Sequence, residues 1–321
     1  MPGTFTWTYD APSGIYKNHA LAGQLLTVAA RQWKFVPFTK KIKDFSGGMG
    51  QTITLVHYKA LADPSSSRLE EETRIPVDPM TMGTSSITIF EHGRAVEFTS
   101  LAQQLGKFDP GQAAQKVLID QMKQSMDVEA ASCFTGMDAK VIFIPTSLTG
   151  GTWDTDGTPS TAAVVNVTKH HLGIIRDYMA KDLHVPFYQG EHYAGLFSTK
   201  ALRGLKEDRV IEVWNLYLRK GDLIWNGEIG QVESIRLIEV NNESALSSSV
   251  GTGNVLGEAL VIGDEAVGRI EIESPHLRAQ PNYQSDFGRR HAVAWYGMIG
   301  FGVIWPTATD REAKIVRIGS Q

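Results

Sequence analysis

Two runs of alternating apolar and polar residues, QTITLVHYKAL (51–61) and SSITIFEHG (85–93), flank the insert ADPSSSRLEEETRIPVDPMTMGT (62–84). Both runs are rich in β-branched residues and read as strands. The insert holds three prolines, a serine cluster and the charges Arg68, Glu70, Glu71, Glu72 and Arg74. An aperiodic connection of more than about 15 residues is uncommon inside a compact domain. The pattern predicts a long β-arm with a charged tip, projecting from a body. Two strands cannot bury both faces by themselves, so such an arm needs a neighbouring surface. The alternative is a mobile surface hairpin.

A second strong signal follows. In FDPGQAAQKVLIDQMKQSMDVEAASCF (108–134), Asp109 is a helix cap and Pro110 suits the first helical position. Ala114, Val117, Leu118, Met122, Met126, Ala130 and Cys133 recur at three- and four-residue steps. This predicts a helix over 109–135, about 40 Å long at about 1.5 Å per residue. Its methionines and Cys133 read as core filler.

The rest alternates between types without a regular βαβ order. Residues 1–17 read as an extended arm and 18–33 as a short helix capped by Asn18. AKVIFIP (139–145) reads as a strand and TGGTWDTDGTPSTAA (149–163) as a loop. Residues 168–183 form an amphipathic helix capped by Thr168, with Leu172, Ile175, Met179 and Leu183 on one face. FYQGEHYAGLFS (187–198) is a strand whose Ser198 caps the next helix, and RVIEVWNLYL (209–218) fits either type. In LIWNGEIGQVESIRLIEV (223–240), Gly227 and Gly230 suit a tight turn with positive φ before a strand that buries Ile235 and Leu237. EALVIGDEAVGRIEI (258–272) holds two strands, 274–288 is a loop, and 291–305 and 313–319 are strands. The class is α+β, and the order does not suggest a doubly wound sheet.

Composition narrows the function. The 321 residues are 42% hydrophobic and 21% charged, with a net charge of −4. A general nucleic-acid binder would carry a basic face. Cys133 is the only cysteine, which excludes an intramolecular disulfide and a cysteine-rich zinc site. No signal peptide is visible, and nothing approaches the roughly 20 apolar residues of a membrane span. The expectation is a soluble protein made inside the cell, with no membrane partner.

No constellation of catalytic residues emerges, so the expectation is a protein that is not an enzyme. Gly251, Gly253 and Gly257 depart from a dinucleotide fingerprint by one residue and follow serines, not a strand. Asp154 and Asp156 open like a calcium loop, but its later ligands are missing. His170 and His171 are adjacent, so on a helix they point about 100° apart. Glu271 and Glu273 read as a solvated strand face, and Arg289 and Arg290 near Trp295 and Tyr296 are weak evidence for a nucleic-acid face. No catalytic residue, cofactor or metal is expected. An enzyme with its site near Asp154 and His170 stays as an alternative.

The linear order of arm, short helix, hairpin with charged tip, long capped helix, mixed domain and returning strand resembles tailed-phage major capsid proteins of the HK97-like fold. NGEIGQVESIRLIE, ALVIGDEAVGRIEI and VAWYGMIGFGVIWPTA resemble segments of that family. The resemblance implies an N-terminal arm (1–33), an extended E-loop region (34–95), a P-domain (96–165) with its spine helix (109–135), an A-domain (166–290) and a return to the P-domain (291–321). It implies a major capsid (coat) protein of a bacteriophage virion. Such a protein self-assembles as hexamers and pentamers into an icosahedral head around double-stranded DNA, which it touches weakly, in the host cytoplasm. Scaffolding, portal and decoration proteins are the further partners it suggests. The tip residues Arg68, Glu70, Glu71, Glu72 and Arg74 would then pair with charges across a subunit interface. No long charged helical region precedes the arm, so a fused scaffolding segment is not expected. The E-loop lysine and partner asparagine that crosslink one branch of the family have no match by motif, and no crosslink is expected. Another virion component, such as a decoration protein, is the remaining alternative.

Overall fold

The computed structural model describes residues 34–42, 50–59, 61, 68–69, 71–72, 74–75, 77–105, 109–188, 190–207, 228–281, 289–308 and 311–321. The readings of 1–33, of 209–218 and of Gly227 lie outside the described residues. In chain order the elements are β1 (Thr39–Lys41), β2 (Thr52–Tyr58), β3 (Met82–Thr88), β4 (Phe90–Thr99), α1 (Ser100–Leu105), α2 (Pro110–Thr135), β5 (Val141–Ser147) and β6 (Gly150–Asp154). They continue with α3 (Lys169–Asp177), β7 (Tyr193–Ser198), α4 (Thr199–Lys206), β8 (Glu228–Val232), β9 (Ile235–Val240), β10 (Ala259–Ile262), β11 (Val267–Pro281), β12 (Arg290–Val303) and β13 (Ile315–Ile318). Three sheets form, in the orders β1-β11-β12-β4, β6-β5-β13-β10-β7-β9-β8 and β2-β3.

The centre of the seven-stranded sheet is buried on both faces: β7 and β10 are buried at every residue. Successive strand residues point to opposite faces. Tyr193 and Phe197 pack with Leu172, Ile175 and Met179 around α3, and with Leu202 and Leu205 of α4. Leu196, together with Leu260 and Ile262 of β10, joins the core built on α2 and β12, which holds Leu118, Met126, Phe134, Trp295 and Ile299.

The long helix forms as its signals require. The Asp109 side chain accepts from Gly111 N at 2.9 Å, and Pro110 occupies the first turn. Ala114, Leu118, Met126 and Ala130 are buried, with Met122 and Cys133 partly so. Val117 departs from the expected stripe and is exposed, because Leu118 takes the inward position. Asp127, mid-helix and fully buried, accepts from Lys34 N at 2.8 Å and Phe35 N at 2.7 Å. That pins the segment before β1 to the helix, with the Phe35 ring 5.8 Å from that of Phe134.

Further expectations need correction. The strand expected over 187–198 begins only at Tyr193. The run 85–93 is not one strand: it breaks at Ile89, and β3 pairs with β2 while β4 pairs with β12. The loop 149–163 begins with a strand, β6, on the sheet edge. The loop 274–288 does not start at Ser274, because β11 runs on to Pro281. Register shifts flank Glu273, and Gly297 leaves room for Pro275: a Cβ there would lie 3.0 Å from its Cα. Finally, the turn before β9 is at Glu233–Ser234, both at positive φ (49° and 60°). That pair matches the two-residue turn favoured between twisted strands. Gly230, at φ 142°, sits instead at a register shift in β8. Ile235 and Leu237 are buried as expected.

Candidate assembly surface

The β2–β3 hairpin is amphipathic, and its inner face is the seat. Ile53, Leu55 and Ile87 pack with Ile42, Ile89, Ile270 and Met298. The approach is close because Gly268 and Gly302, opposite each other in the β11–β12 ladder, carry no side chain. A Cβ at either would lie within 3 Å of an Ile87 side-chain atom. Ile89 N donates to Gln51 O at 2.9 Å and closes the base of the pair.

Among the described residues, none covers the outer face. Near the base it carries Thr52, Thr54 and Ser86, but further out Val56 is 61% exposed, Tyr58 66% and Met82 55%. Tyr58 stands directly opposite Met82 in the ladder. The segment beyond continues apolar and exposed at Leu61, Leu69, Ile75, Val77 and Met80. Of the eighteen exposed large apolar side chains among the described residues, eight fall between Val56 and Met82. Scattered exposed hydrophobics are ordinary, whereas a run of them marks a contact surface.

The sequence-derived interface residues lie within this run. Arg68, Glu71, Glu72 and Arg74 are exposed, with Glu71 and Glu72 in a turn; Glu70 lies outside the described residues. They are interleaved with the exposed apolar side chains. The available signal was apolar residues on both faces of one strand pair, Val56 and Tyr58 beside Ile53 and Leu55.

The residues weighed for chemistry are engaged elsewhere. Asp154 accepts from Ser160 N at 2.9 Å and Ser160 Oγ at 3.0 Å, and Asp156 accepts from Thr158 N at 2.8 Å. Asp156 thus forms a local turn, and Asp154 ties the loop across six residues. His171 is buried: its Nδ1 accepts from Thr168 N at 3.1 Å and its Nε2 donates to Ser147 O at 2.8 Å. Burial lowers the pKa of the ring, so it acts as a neutral helix cap. His170, its neighbour, faces solvent.

Cys133 is half-buried, and burial pushes its thiol up to about 11, far from a thiolate nucleophile. The loop carrying Gly251 and Gly253 closes on itself through a Val250–Leu256 bridge. Glu271 is not on a solvated face: it is largely covered and pairs with Lys41 and with Arg269 at 3.1 Å. Trp295 is buried and donates to Gln121, so it cannot stack on a base, while Arg278 lies 4.5 Å over the Tyr296 ring. No group of three or more metal-ligating side chains occurs among the described residues. No helix among them is long and apolar enough to cross a membrane.

No family model matches the sequence, and no curated protein matches it. Solved structures do. The capsid asymmetric unit of cyanophage Pam1 is similar at a TM-score of 0.71 and 13% identity, over 97% of this chain and 98% of that one. The capsid of Helicobacter pylori bacteriophage KHP30 is similar at 0.69 and 11%, over the full length of both. The capsid of Ralstonia phage GP4 is similar at 0.66 and 14%, over 99% of each. At these identities the likeness is one of fold: from end to end, the chain is built as the subunits of phage capsids are built. The expected HK97-like α+β class agrees with that fold.

Proposed function

We propose that this chain is the major capsid protein of a bacteriophage, a structural coat subunit with no catalytic role. Identical copies associate as hexamers and pentamers, which close into an icosahedral head around double-stranded DNA. The carrying observation is the hairpin. Its inner face is seated on the body, while its outer face presents Val56, Tyr58 and Met82 to solvent. A chain with the fold of shell subunits and an uncovered apolar arm is explained by a neighbouring copy that covers the arm. Residues Arg68, Glu70, Glu71, Glu72 and Arg74 would flank that contact and set its register more than its strength. The division into N-terminal arm, E-loop region, P-domain and A-domain belongs to the same proposal. So do assembly in the host cytoplasm and contacts with scaffolding, portal and decoration proteins.

The test is electron microscopy of the purified full chain, with and without co-produced scaffolding protein, beside a variant whose residues 62–80 are replaced by a short Gly-Ser turn. The full chain forms closed shells. The variant retains its thermal transition and forms none. A full chain that stays monomeric in every condition overturns the coat role, and a variant that still closes shells overturns the role of the arm.

A further inference from the structure

Where the hairpin leaves the body, two ionisable side chains meet at ion-pair distance, longer than a hydrogen bond. His57, near the outer end of β2, is 8% exposed, and Glu312, just ahead of β13, is 3% exposed. His57 Nε2 lies 3.4 Å from Glu312 Oε1, and Lys59 Nζ lies 3.6 Å from the same oxygen. A charge-assisted N–H···O bond is about 2.7–2.9 Å. Both ring nitrogens of His57 and both oxygens of Glu312 are buried without a hydrogen bond to protein. Buried polar groups are nearly always bonded, so four such atoms in one contact call for an explanation.

The surroundings are built to receive the pair. Gly83 stands opposite His57 in the ladder, and a Cβ there would lie 2.2 Å from Nε2. The Trp305 ring packs on the imidazole with centroids 4.8 Å apart, and Lys314 Nζ sits 4.4 Å from the centroid of that indole ring. Arg311, immediately before Glu312, is held at φ 63°, a conformation that non-glycine residues keep only where their surroundings fix it. The carboxylate is thus presented from a fixed backbone, and the imidazole is carried by the arm.

We propose that His57 and Glu312, with Lys59, form a latch between the arm and the body. This ion-pair contact fixes the angle at which the outer end of the hairpin leaves the body. The latch belongs to the single subunit and stands whether or not subunits assemble into shells.

Hydrogen exchange on the full-length chain tests it. The reporter is the Lys59 amide, which donates to Thr81 O across the outer end of the hairpin. Glu312→Gln removes the carboxylate charge without changing shape. Gly83→Ala displaces the imidazole without touching any charge. Both raise exchange at Lys59 by on the order of tenfold, while the amides of β7 keep their rates. Unchanged exchange at Lys59 in both variants overturns the latch. So does a rise shared equally with β7, which would mark an ordinary packing contact. Should Glu312→Gln fail to fold, Gly83→Ala decides alone by the same criterion.

Discussion

Replacing Val56, Tyr58 and Met82 together by serine tests whether the outer face of the hairpin is a contact surface. In the isolated subunit these side chains are 61%, 66% and 55% exposed. Fully burying a large apolar side chain is worth about 1.5–3 kcal/mol. Covering the part still exposed is therefore worth about 1–2 kcal/mol each, or roughly 3–6 kcal/mol for the three. Some of that is offset by ordering the arm against its neighbour, so about 3 kcal/mol per contact is the working figure. At about 1.4 kcal/mol per tenfold, the concentration at which particles appear rises about a hundredfold. The monomer should barely notice, since exposed substitutions usually change stability by less than about 0.5 kcal/mol. Light scattering against concentration reads the first effect and thermal unfolding the second. Particles forming at the natural threshold, with an unchanged melting transition, would refute the argument that this face is covered by another copy.

Two further outcomes concern the body. Asp127→Ala strands the buried N–H of Phe35, at about 1–3 kcal/mol, and the part-buried N–H of Lys34 at less, and should lower the melting transition by several degrees. Burial raises the Asp127 carboxyl pKa against the pull of those N–H groups. A raised native value gives stability that is full below the ordinary aspartate value of about 3.9 and lost as pH rises through the native value. Asp127→Asn should remove that slope in pH-dependent unfolding. His171 has the opposite sign. Burial lowers its native value, so the stability it contributes is full above about pH 6.5 and lost as pH falls through the native value. His171→Asn should cost about 1–3 kcal/mol at neutral pH and flatten the acid limb, again read by unfolding against pH.

What the sequence disclosed divides by the range of the interactions involved. The long helix was legible because Asp109, Pro110 and the stripe from Ala114 to Ala130 are local signals, and each acts within a turn or two. The same holds for α3 and for Ser198, whose hydroxyl accepts from Ala201 N at 3.3 Å. Features set by distant partners were not legible. Nothing local to SSITIFEHG announces that the chain changes sheets at Ile89, because the break is made by Gln51 on one side and by β12 on the other. β6 looked like a loop because of Gly150 and Gly151. Gly151 is needed there, since a Cβ would lie 2.4 Å from Ile144 O and 2.6 Å from the Phe143 ring.

The misplaced turn carries over to the assembly surface. The sequence points to glycine as the turning residue, yet Glu233 and Ser234 turn with positive φ, while Gly230 marks a register shift. Glycine in this chain more often answers a packing need. Gly268 and Gly302 admit Ile87, and Gly83 admits His57. These sites hold the inner face of the hairpin against the body, and only a held inner face leaves the outer one free to be shared. A side chain at Gly302 would therefore act on assembly from inside the subunit. It would displace Ile87 and shift the arm without altering one atom of the exposed surface.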